Sequence, residues 1–573
     1  MNKLPSLHFT SSSFSPFTKN SSSLSPYKPS LTAKQKLSQI NFYSKFIKNK
    51  KKPNKKPKDT TSQQCNVFFF YNSKRTYIFL PNSKINIDAV IEDNKTNVNR
   101  NYEIMSNVQI PYNCKIRILN YSSMPDCIKL PCQKANIKFK KKECHANIIW
   151  HLYPQYKMFQ IIRELHPNQR YNHFPSTFQL GRKDFMYKHH TIFKAMYPND
   201  YNFAPETFIL PDEAEKFQIK YKKGSKVKWI AKPVGLSRGR GVHILKGKEE
   251  FKSLCKQSEA KHGTNYLLSH YISNPHLINQ KKYDLRVYVL ITSMSPLKIY
   301  MYREGLVRFA TENYKKGNYD NIFIHLTNYS INQQNTNYIP NDKGENFENF
   351  SKWSFTEYEQ YFREHNQEEV YNSIMCKIKD IIVKTIITSF ERNLSDVSTS
   401  KKSTLFELYG FDILIDDNFK AWLIEVNVGP SLHCSSPLDL QIKSNLFSDI
   451  VNIIGLKFYE HYNKDLTYTI AQSKEGDHYL SSKIYDWNHI GEMKAVIYKQ
   501  YDKENIKKKC DEYDDEYHKD VIENFIEERI RCEYTDFDML FPRKENIEYY
   551  AKFFSDNSAT DDNIVIWQYV ITH

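Results

Sequence analysis

The 573-residue chain lacks several things, and each absence removes a class of protein. No apolar run approaches the roughly 20 residues that a bilayer-spanning helix needs, so no membrane role is expected. Ten cysteines are scattered without the tight pairs of a zinc site; Cys127 and Cys132, the nearest to one another, have four residues between them. The thiols therefore read as reduced and mostly structural, as in a cytosolic protein. Glycine is scarce, at 15. Acidic residues are almost missing from 1–64, which holds one aspartate against thirteen lysines. That Ser-, Asn-, Lys- and Pro-rich stretch cannot bury enough apolar surface to offset chain entropy, so a disordered basic tail is expected there. A transit peptide is also acid-poor and Ser-rich, but it favours Arg over Lys.

What is present is a strong basic excess. The formal net charge is +18, of which 1–64 supplies +12, while 456–573 carries −9 and the middle is left with +15. A basic middle asks for an acidic partner: phosphates, nucleic acid or an acidic polypeptide. No recognised nucleic-acid-binding motif accompanies the basic residues, so nucleic acid is not expected. Hydrophobic residues at 40% support real cores, and the length suits about three or four domains. The pattern divides into a mixed α/β stretch at 65–221, a strand-rich centre at 222–330 and a second such unit at 331–456. A linker at 457–485 and a mostly helical region at 486–573 follow.

Residues 406–431, FELYGFDILIDDNFKAWLIEVNVGPS, read as a β-hairpin, with two apolar-rich runs around the turn-forming Asp416-Asp417-Asn418. A loop centred on Asp417 and Asn418 places Asp412 opposite Leu423. Alternation then sets Asp412, Glu425 and Asn427 on one face, with Phe411, Ile413, Ile424 and Val426 facing a core. Two carboxylates and a carboxamide on a rigid hairpin suit Mg²⁺, which takes oxygen ligands and shares its site with phosphates. A solvated polar face of an edge hairpin is the other reading.

Upstream, VKWIAKPVGLSRGRGVHIL (227–245) sets Gly235, Gly239 and Gly241 among Lys232, Arg238 and Arg240, between two β-like runs. Glycines let backbone approach an anion and the cations neutralise it, although this is no Walker loop. KKYDLRVYVLI (281–291) alternates Lys282, Asp284 and Arg286 with Tyr283, Leu285 and Val287, so the charged three share a face. Arg308 is a further cation on the strand-like 298–311, and HLTNYSI (325–331) adds polar groups. Lys183, near the start of a helical stretch, could reach a phosphate or be an ordinary surface lysine. Segment 368–387 has the apolar spacing of a core helix.

Together these stretches describe a nucleotide between two β-layers, an α+β fold of ATP-grasp type. KWIAKPVGLSRGRGVHIL, KKYDLRVYVLI, EGLVRFAT, HLTNYSIN, FELYGFDILIDDNFKAWLIEVNVGPSLHCSSPLDLQIK and the upstream NHFPSTFQLGRKD resemble, in order and spacing, the tubulin tyrosine ligase-like family across about 150–455. The resemblance implies an ATP- and Mg²⁺-dependent ligase that activates a carboxylate as an acyl phosphate for attack by an amine. It implies Lys183, Lys232, Arg238 and Gly239 at the phosphates, and Ser269, His270, Tyr271 and Ile272 at the adenine. Lys282, Tyr283, Asp284, His325, Thr327 and Asn328 would line the nucleotide. Asp412, Glu425 and Asn427 would be the metal ligands, with Glu425 and Arg286 catalytic and Arg286 stabilising the acyl phosphate. Arg308, Tyr329, Ser330 and Lys352 would hold the incoming amino acid.

EVNVGPSLHCSSPLD followed by IK is more similar to the polyglutamylase branch than to the tyrosine ligase or the glycylases, and Ser237 resembles enzymes that start side chains. The resemblance thus implies a monomeric enzyme, cytoplasmic or cytoskeletal and conceivable at a cilium or basal body. It would join free L-glutamate to the acidic tails of tubulin or microtubules. A glycylase, a ligase for another acidic protein and a silent microtubule binder are the rivals. Region 536–554 is similar to the helical part that grips microtubules in polyglutamylases. Gly429 stands where the family usually has Ser, and Ala421 where it has Pro.

Overall fold

The computed structural model describes residues 68–71, 76–79, 103–105, 117–119, 124–134, 138–140, 146–154, 158–165, 169–221, 227–236, 238–260, 264–341, 347–389, 404–457, 516–554 and 561–572. The expected basic tail, Ser237 and, from residue 458 on, the linker expected at 457–485 lie outside them. The described residues form an α+β protein with four sheets.

One strand organises the whole. Lys281–Met294 is fourteen residues long and has neighbours along both edges. On one edge its first half pairs with Leu306–Asn313 and its second half with Leu297–Tyr302; on the other it pairs with Glu407–Ile415. Glu407–Ile415 in turn pairs with Ala421–Val428 to make the acidic hairpin. Lys352–Ser354 and Phe537–Phe541 complete the outer edges. Alternation decides what each face buries. Tyr283, Leu285, Val287, Val289 and Ile291 enter one large core with Tyr409, Phe411 and Ile413, covered by helix Glu368–Thr388 through Ile374, Ile378, Ile382 and Ile386. On the opposite face Tyr288 and Leu290 lie in a second core with Leu446, Phe447, Ile450 and Val451 of helix Pro437–Ile454. Lys282, Asp284 and Arg286 sit on that same face, beyond the end of the helix.

A smaller antiparallel sheet, ordered His243–Ile244, Trp229–Pro233, Tyr266–His270, Thr207–Leu210, carries the glycine-rich turn. One face packs Trp229, Ala231 and Leu268 on Phe217 and Phe251 of two helices. Lys232 and Ile230 point the other way. Strand pairing crosses two of the expected domain boundaries. Thr207–Leu210 belongs with 229–270, and Lys281–Met294 pairs with Glu407–Ile415.

The described part of the C-terminal stretch is mostly helical, as expected, but it is not separate from the core. Helices Glu516–Glu533, Ile547–Ala551 and Asp561–Thr572 flank strand Phe537–Phe541, which is a member of the central sheet. A buried ion pair clamps this region. Glu528 Oε2 accepts from Lys298 Nζ at 2.5 Å, while Oε1 accepts from Tyr300 Oη at 2.7 Å and from the Thr292 hydroxyl. Burial opposes the Glu528 charge, but Lys298 and Arg531 outweigh it and hold the carboxyl below its usual range. Glu528→Ala should therefore cost about 3–5 kcal/mol in urea unfolding, because Lys298 is left buried and unpaired. Replacing both as Lys298→Met with Glu528→Leu should recover most of that loss.

Candidate active site

The register of the central sheet lines up the charged residues in two rungs. Lys352 pairs with Arg308, and Arg308 with Asp284. One rung on, Arg286 pairs with Asp412, and Asp412 with Glu425. Residues paired across strands share a face, so six charged side chains converge where helix Pro437–Ile454 no longer covers the sheet. Arg286 donates to both oxygens of Asp412, at 2.6 and 3.1 Å. Arg308 does the same to Asp284, at 2.7 and 2.5 Å, and reaches Asp412 Oδ2 at 2.9 Å. Burial works against the Asp412 charge, yet the two guanidiniums prevail and hold its carboxyl far below the carboxylate range.

The hairpin differs from its expected register. The loop is centred on Asn418, with Ile415 opposite Ala421, and a β-bulge between Asp412 and Ile413 sets Asp412 against Glu425 rather than Leu423. The Asp416 carboxylate organises the loop, accepting from the amides of Asn418 and Lys420 and from Trp422 Nε1. Leu423 and Val426 are the buried apolar residues, and Ile424 is only half-buried. The bulge leaves the shared face of Asp412, Glu425 and Asn427 intact. Asn427 Nδ2 lies 3.4 Å from Asp412 Oδ2 and 3.2 Å from Glu425 Oε1.

The other wall is cationic. Lys183 opens helix Lys183–Met196 and meets Glu425 at 3.1 Å. Lys232 stands near both; burial lowers its pKa to about 8 against the pull of Glu425. Burial likewise lowers Lys282 to about 7. Lys282 Nζ donates to Tyr271 Oη at 3.3 Å and sits 4.6 Å from the ring centre. Tyr271 Oη is 2.8 Å from His325 Nδ1, and His325 Nε2 donates to the Asn318 carbonyl, so the tyrosine is the donor to Nδ1. Beside these lies a small apolar patch of Ile230, Ile244, Tyr271 and Leu326. The glycine-rich turn folds onto 328–331. Gly239 has φ +72°, and a Cβ there would lie 2.6 Å from Ile331 Cδ1 and 2.8 Å from Asn328 Oδ1. Ser330 Oγ donates to the Arg238 carbonyl at 2.9 Å.

Two expected residues face elsewhere. Tyr283 enters the core, where its hydroxyl meets His276 and Tyr358. His270 lies on the Trp229 side of its strand, 5.9 Å between ring centres. Alternation forbids a contiguous run such as 269–272 from presenting every side chain to one cleft. Ser269 is on the cleft side but buried, taking a hydrogen bond from Thr207 Oγ1. Ile272 is buried, Thr327 is buried on the cleft wall and Asn328 begins the helical turn Tyr329–Asn332.

Asp439 and Lys443 enter the site without having been singled out. Lys352 Nζ donates to Asp439 Oδ2 and Ser435 Oγ, both at 2.8 Å, and lies 4.1 Å from the Tyr329 ring centre. Lys443 holds the other Asp439 oxygen at 2.9 Å. The pattern Ser436-Pro437-x-Asp439 was the available clue, since Ser436 caps the helix through the Asp439 amide.

Among the described residues no three His, Cys, Asp or Glu side chains form a metal-ligand group. The donor set here is two carboxylates and an amide, hard oxygens of the kind Mg²⁺ takes when phosphates complete its shell. A half-turn of the Asn427 amide presents Oδ1 in place of Nδ2. The residues fit such an ion.

The site thus sets carboxylates on one side and a glycine-rich basic turn on the other, donors of the kinds that a cation and an anion take. Residues 160–466 match the model of the tubulin-tyrosine ligase family, and the chain belongs to that family. It is 41% identical over 325 residues to mouse (Mus musculus) tubulin polyglutamylase TTLL5, covering 54% of this chain and 23% of that protein. It is 35% identical over 336 residues to mouse tubulin monoglutamylase TTLL4, covering 58% and 27%. With mouse tubulin polyglutamylase TTLL6 the identity is 30% over 453 residues, covering 77% and 50%. The chain thus spans about a quarter to a half of the length of these relatives.

Gly429, two residues past Asn427, has φ +53°, and a Cβ there would lie 2.3 Å from the Leu152 carbonyl oxygen. Gly429→Ser should cost about 1–3 kcal/mol in thermal unfolding, as expected for a strained left-handed residue. It should also speed proteolysis at the displaced, already exposed Leu152-Tyr153.

Proposed function

We propose that the two sheets clasp ATP in ATP-grasp fashion and that the chain is a protein glutamate ligase. It would add glutamate, through isopeptide bonds, to glutamate side chains in the acidic tails of tubulin. The observation that carries this reading is the pair of charged rungs, Lys352–Arg308–Asp284 and Arg286–Asp412–Glu425, facing the basic glycine-rich turn. The names of the relatives, and a middle of net charge +15 that suits acidic tails, support the choice of substrate. Free L-glutamate is the second substrate, and a monomer working on the cytoskeleton in the cytoplasm follows from the same reading.

In such a ligase the γ-phosphoryl group passes from ATP to a side-chain carboxylate, giving ADP and an acyl phosphate. The α-amino group of glutamate attacks the acyl carbon, forming the amide and releasing phosphate and a proton. Lys183, Lys232, Arg238 and the Gly239 backbone would hold phosphates, while Ile230, Ile244, Tyr271 and Leu326 would bracket the base. Asp412, Glu425 and Asn427 would hold Mg²⁺, which supplies charge neutralisation and alignment of the phosphates. Arg286, already fixed by Asp412, would stabilise charge on the transferring phosphoryl group without reorganising. Lys352, held by Asp439, would join Arg308, Tyr329 and Ser330 around the incoming glutamate. A second reading, addition of single glutamates only, is favoured by Ser237 and by the likeness to a monoglutamylase.

Incubation with microtubules, Mg·ATP and labelled glutamate should give incorporation that Glu425→Gln lowers by about 100-fold or more. Labelled glycine in place of glutamate should give none. Incorporation of neither, with microtubule binding intact, would sink the ligase reading. Nucleotide binding should also take up protons. Lys232 and Lys282, with pKa values of about 8 and about 7, are partly neutral at mildly alkaline pH, and phosphate favours their charged forms. ATP affinity should fall as pH rises through these values. Calorimetry in buffers of different ionisation heat should show the uptake, reduced in Lys282→Met.

A further inference from the structure

Cys434 lies in the loop between the acidic hairpin and helix Pro437–Ile454, one residue before Ser435. Its thiol donates to the Leu432 carbonyl at 3.4 Å, and the thiol of Cys127 donates to the same oxygen at 3.1 Å. The two sulfurs thus converge on one carbonyl oxygen. Both are free. Cys127 is fully buried in the first turn of helix Asp126–Lys134, whereas Cys434 is part-exposed. A small reagent therefore meets Cys434 first and finds Cys127 behind it.

We propose that Cys434 and Cys127 are a redox pair that closes to a reversible disulfide when the protein meets a hydroperoxide. Cys434 is the reacting thiol and Cys127 the resolving one. The Cys434 sulfur attacks the peroxide oxygen, the O–O bond breaks, and a sulfenic acid forms as the leaving oxygen departs as alcohol or water. The Cys127 sulfur then attacks the Cys434 sulfur and expels its oxygen as water. Two thiols lose two protons and two electrons, and the peroxide takes them. Closure draws the sulfurs to about 2 Å, with the Cα atoms about 4.4–6.8 Å apart. The surroundings favour Cys434 as the thiol that reacts first. The neighbouring Cys127 thiol and, against burial, the Lys443 ammonium lower the Cys434 pKa, while the Cys434 thiol and burial raise that of Cys127. A low-pKa, reachable thiol beside a resolving one is the arrangement of redox sensors.

The bond would reach the cleft through one residue. Ser435 Oγ accepts from Lys352 Nζ and donates to Asp439 Oδ2 at 2.6 Å. Pulling Cys434 toward helix Asp126–Lys134 moves Ser435 off Lys352. This loss of activity rests on the proposed ligase reading; the disulfide does not.

The full chain would be treated with a few equivalents of hydrogen peroxide, digested without reduction and analysed by mass spectrometry. A linked pair of peptides carrying Cys127 and Cys434, separated by dithiothreitol, is expected. Glutamate incorporation should fall at least about tenfold in step with the link and return on reduction, a change of roughly 1.4 kcal/mol in the barrier. Cys127→Ser should keep basal incorporation, yield no linked peptide and accumulate Cys434 as a sulfenic acid trapped by dimedone. Oxidation of Cys434 without linkage, or reaction confined to Cys255 and Cys376, would overturn the pairing. Linkage with unchanged incorporation would overturn the control of the cleft. Linkage in a protein that never incorporates glutamate would leave the pair standing and remove the ligase reading instead.

Discussion

The cleft depends on one carboxylate being shared by two guanidiniums. Asp412 is buried, and a buried charge without partners costs several kcal/mol. Arg286 and Arg308 supply those partners, and Arg308 in turn needs Asp284. Two anions and two cations cancel, so each member is held by the others across three strands. A cluster assembled this way holds its own members in place, the kind of preorganisation that the proposed chemistry would use. It also suits an exchange of partners. A polyanion arriving with its cation can offer the anion to the arginines and the cation to Asp412, and the cleft stays near neutral throughout.

The place of the site follows from where a helix begins. On Lys281–Met294 the even-numbered residues share one face, and Tyr288 and Leu290 are roofed by helix Pro437–Ile454. Three residues of the same parity, 282, 284 and 286, extend beyond the roof, and polar side chains are tolerated there because no apolar layer covers them. The roof starts at Ser436-Pro437, where the serine caps the amide of Asp439 and the proline suits the first helical position. That cap also brings Asp439 and Lys443 beside Lys352. The helix start thus ends the second core and supplies the carboxylate that fixes a cleft lysine.

Period-two patterns were the readable part of this sequence. They placed Lys282, Asp284 and Arg286 together, and Asp412 with Glu425 and Asn427, because alternation within a strand needs no knowledge of its neighbours. Register was not readable. A five-residue loop organised by Asp416, followed by a bulge, shifts the pairing by two residues over the hairpin, and only tertiary packing selects a bulge. Contacts between distant segments were hidden for the same reason: nothing local joins Lys183 to Glu425, or Lys352 to Asp439. Tyr283 and His270 went astray where a contiguous motif was carried over whole, against the alternation that served well elsewhere.

Charge summed over a segment proved a poor guide to its surface. The C-terminal stretch 456–573 carries −9, yet several of its acids are occupied internally. Glu528 pairs with Lys298, Asp538 with Arg303 and Lys379, and Asp562 accepts from the Ser295 hydroxyl. Each ion pair also removes a cation from the +15 of the middle. The opposite charges of the two segments are therefore partly the means by which one docks on the other, with Phe537–Phe541 seated in the central sheet between them. Electrostatic attraction for an outside partner is set by what remains after that docking. The outside charges are screened over about 10 Å at ordinary salt, while the buried pairs are screened far less. Added salt should thus weaken what the protein binds well before it loosens how the C-terminal stretch is held.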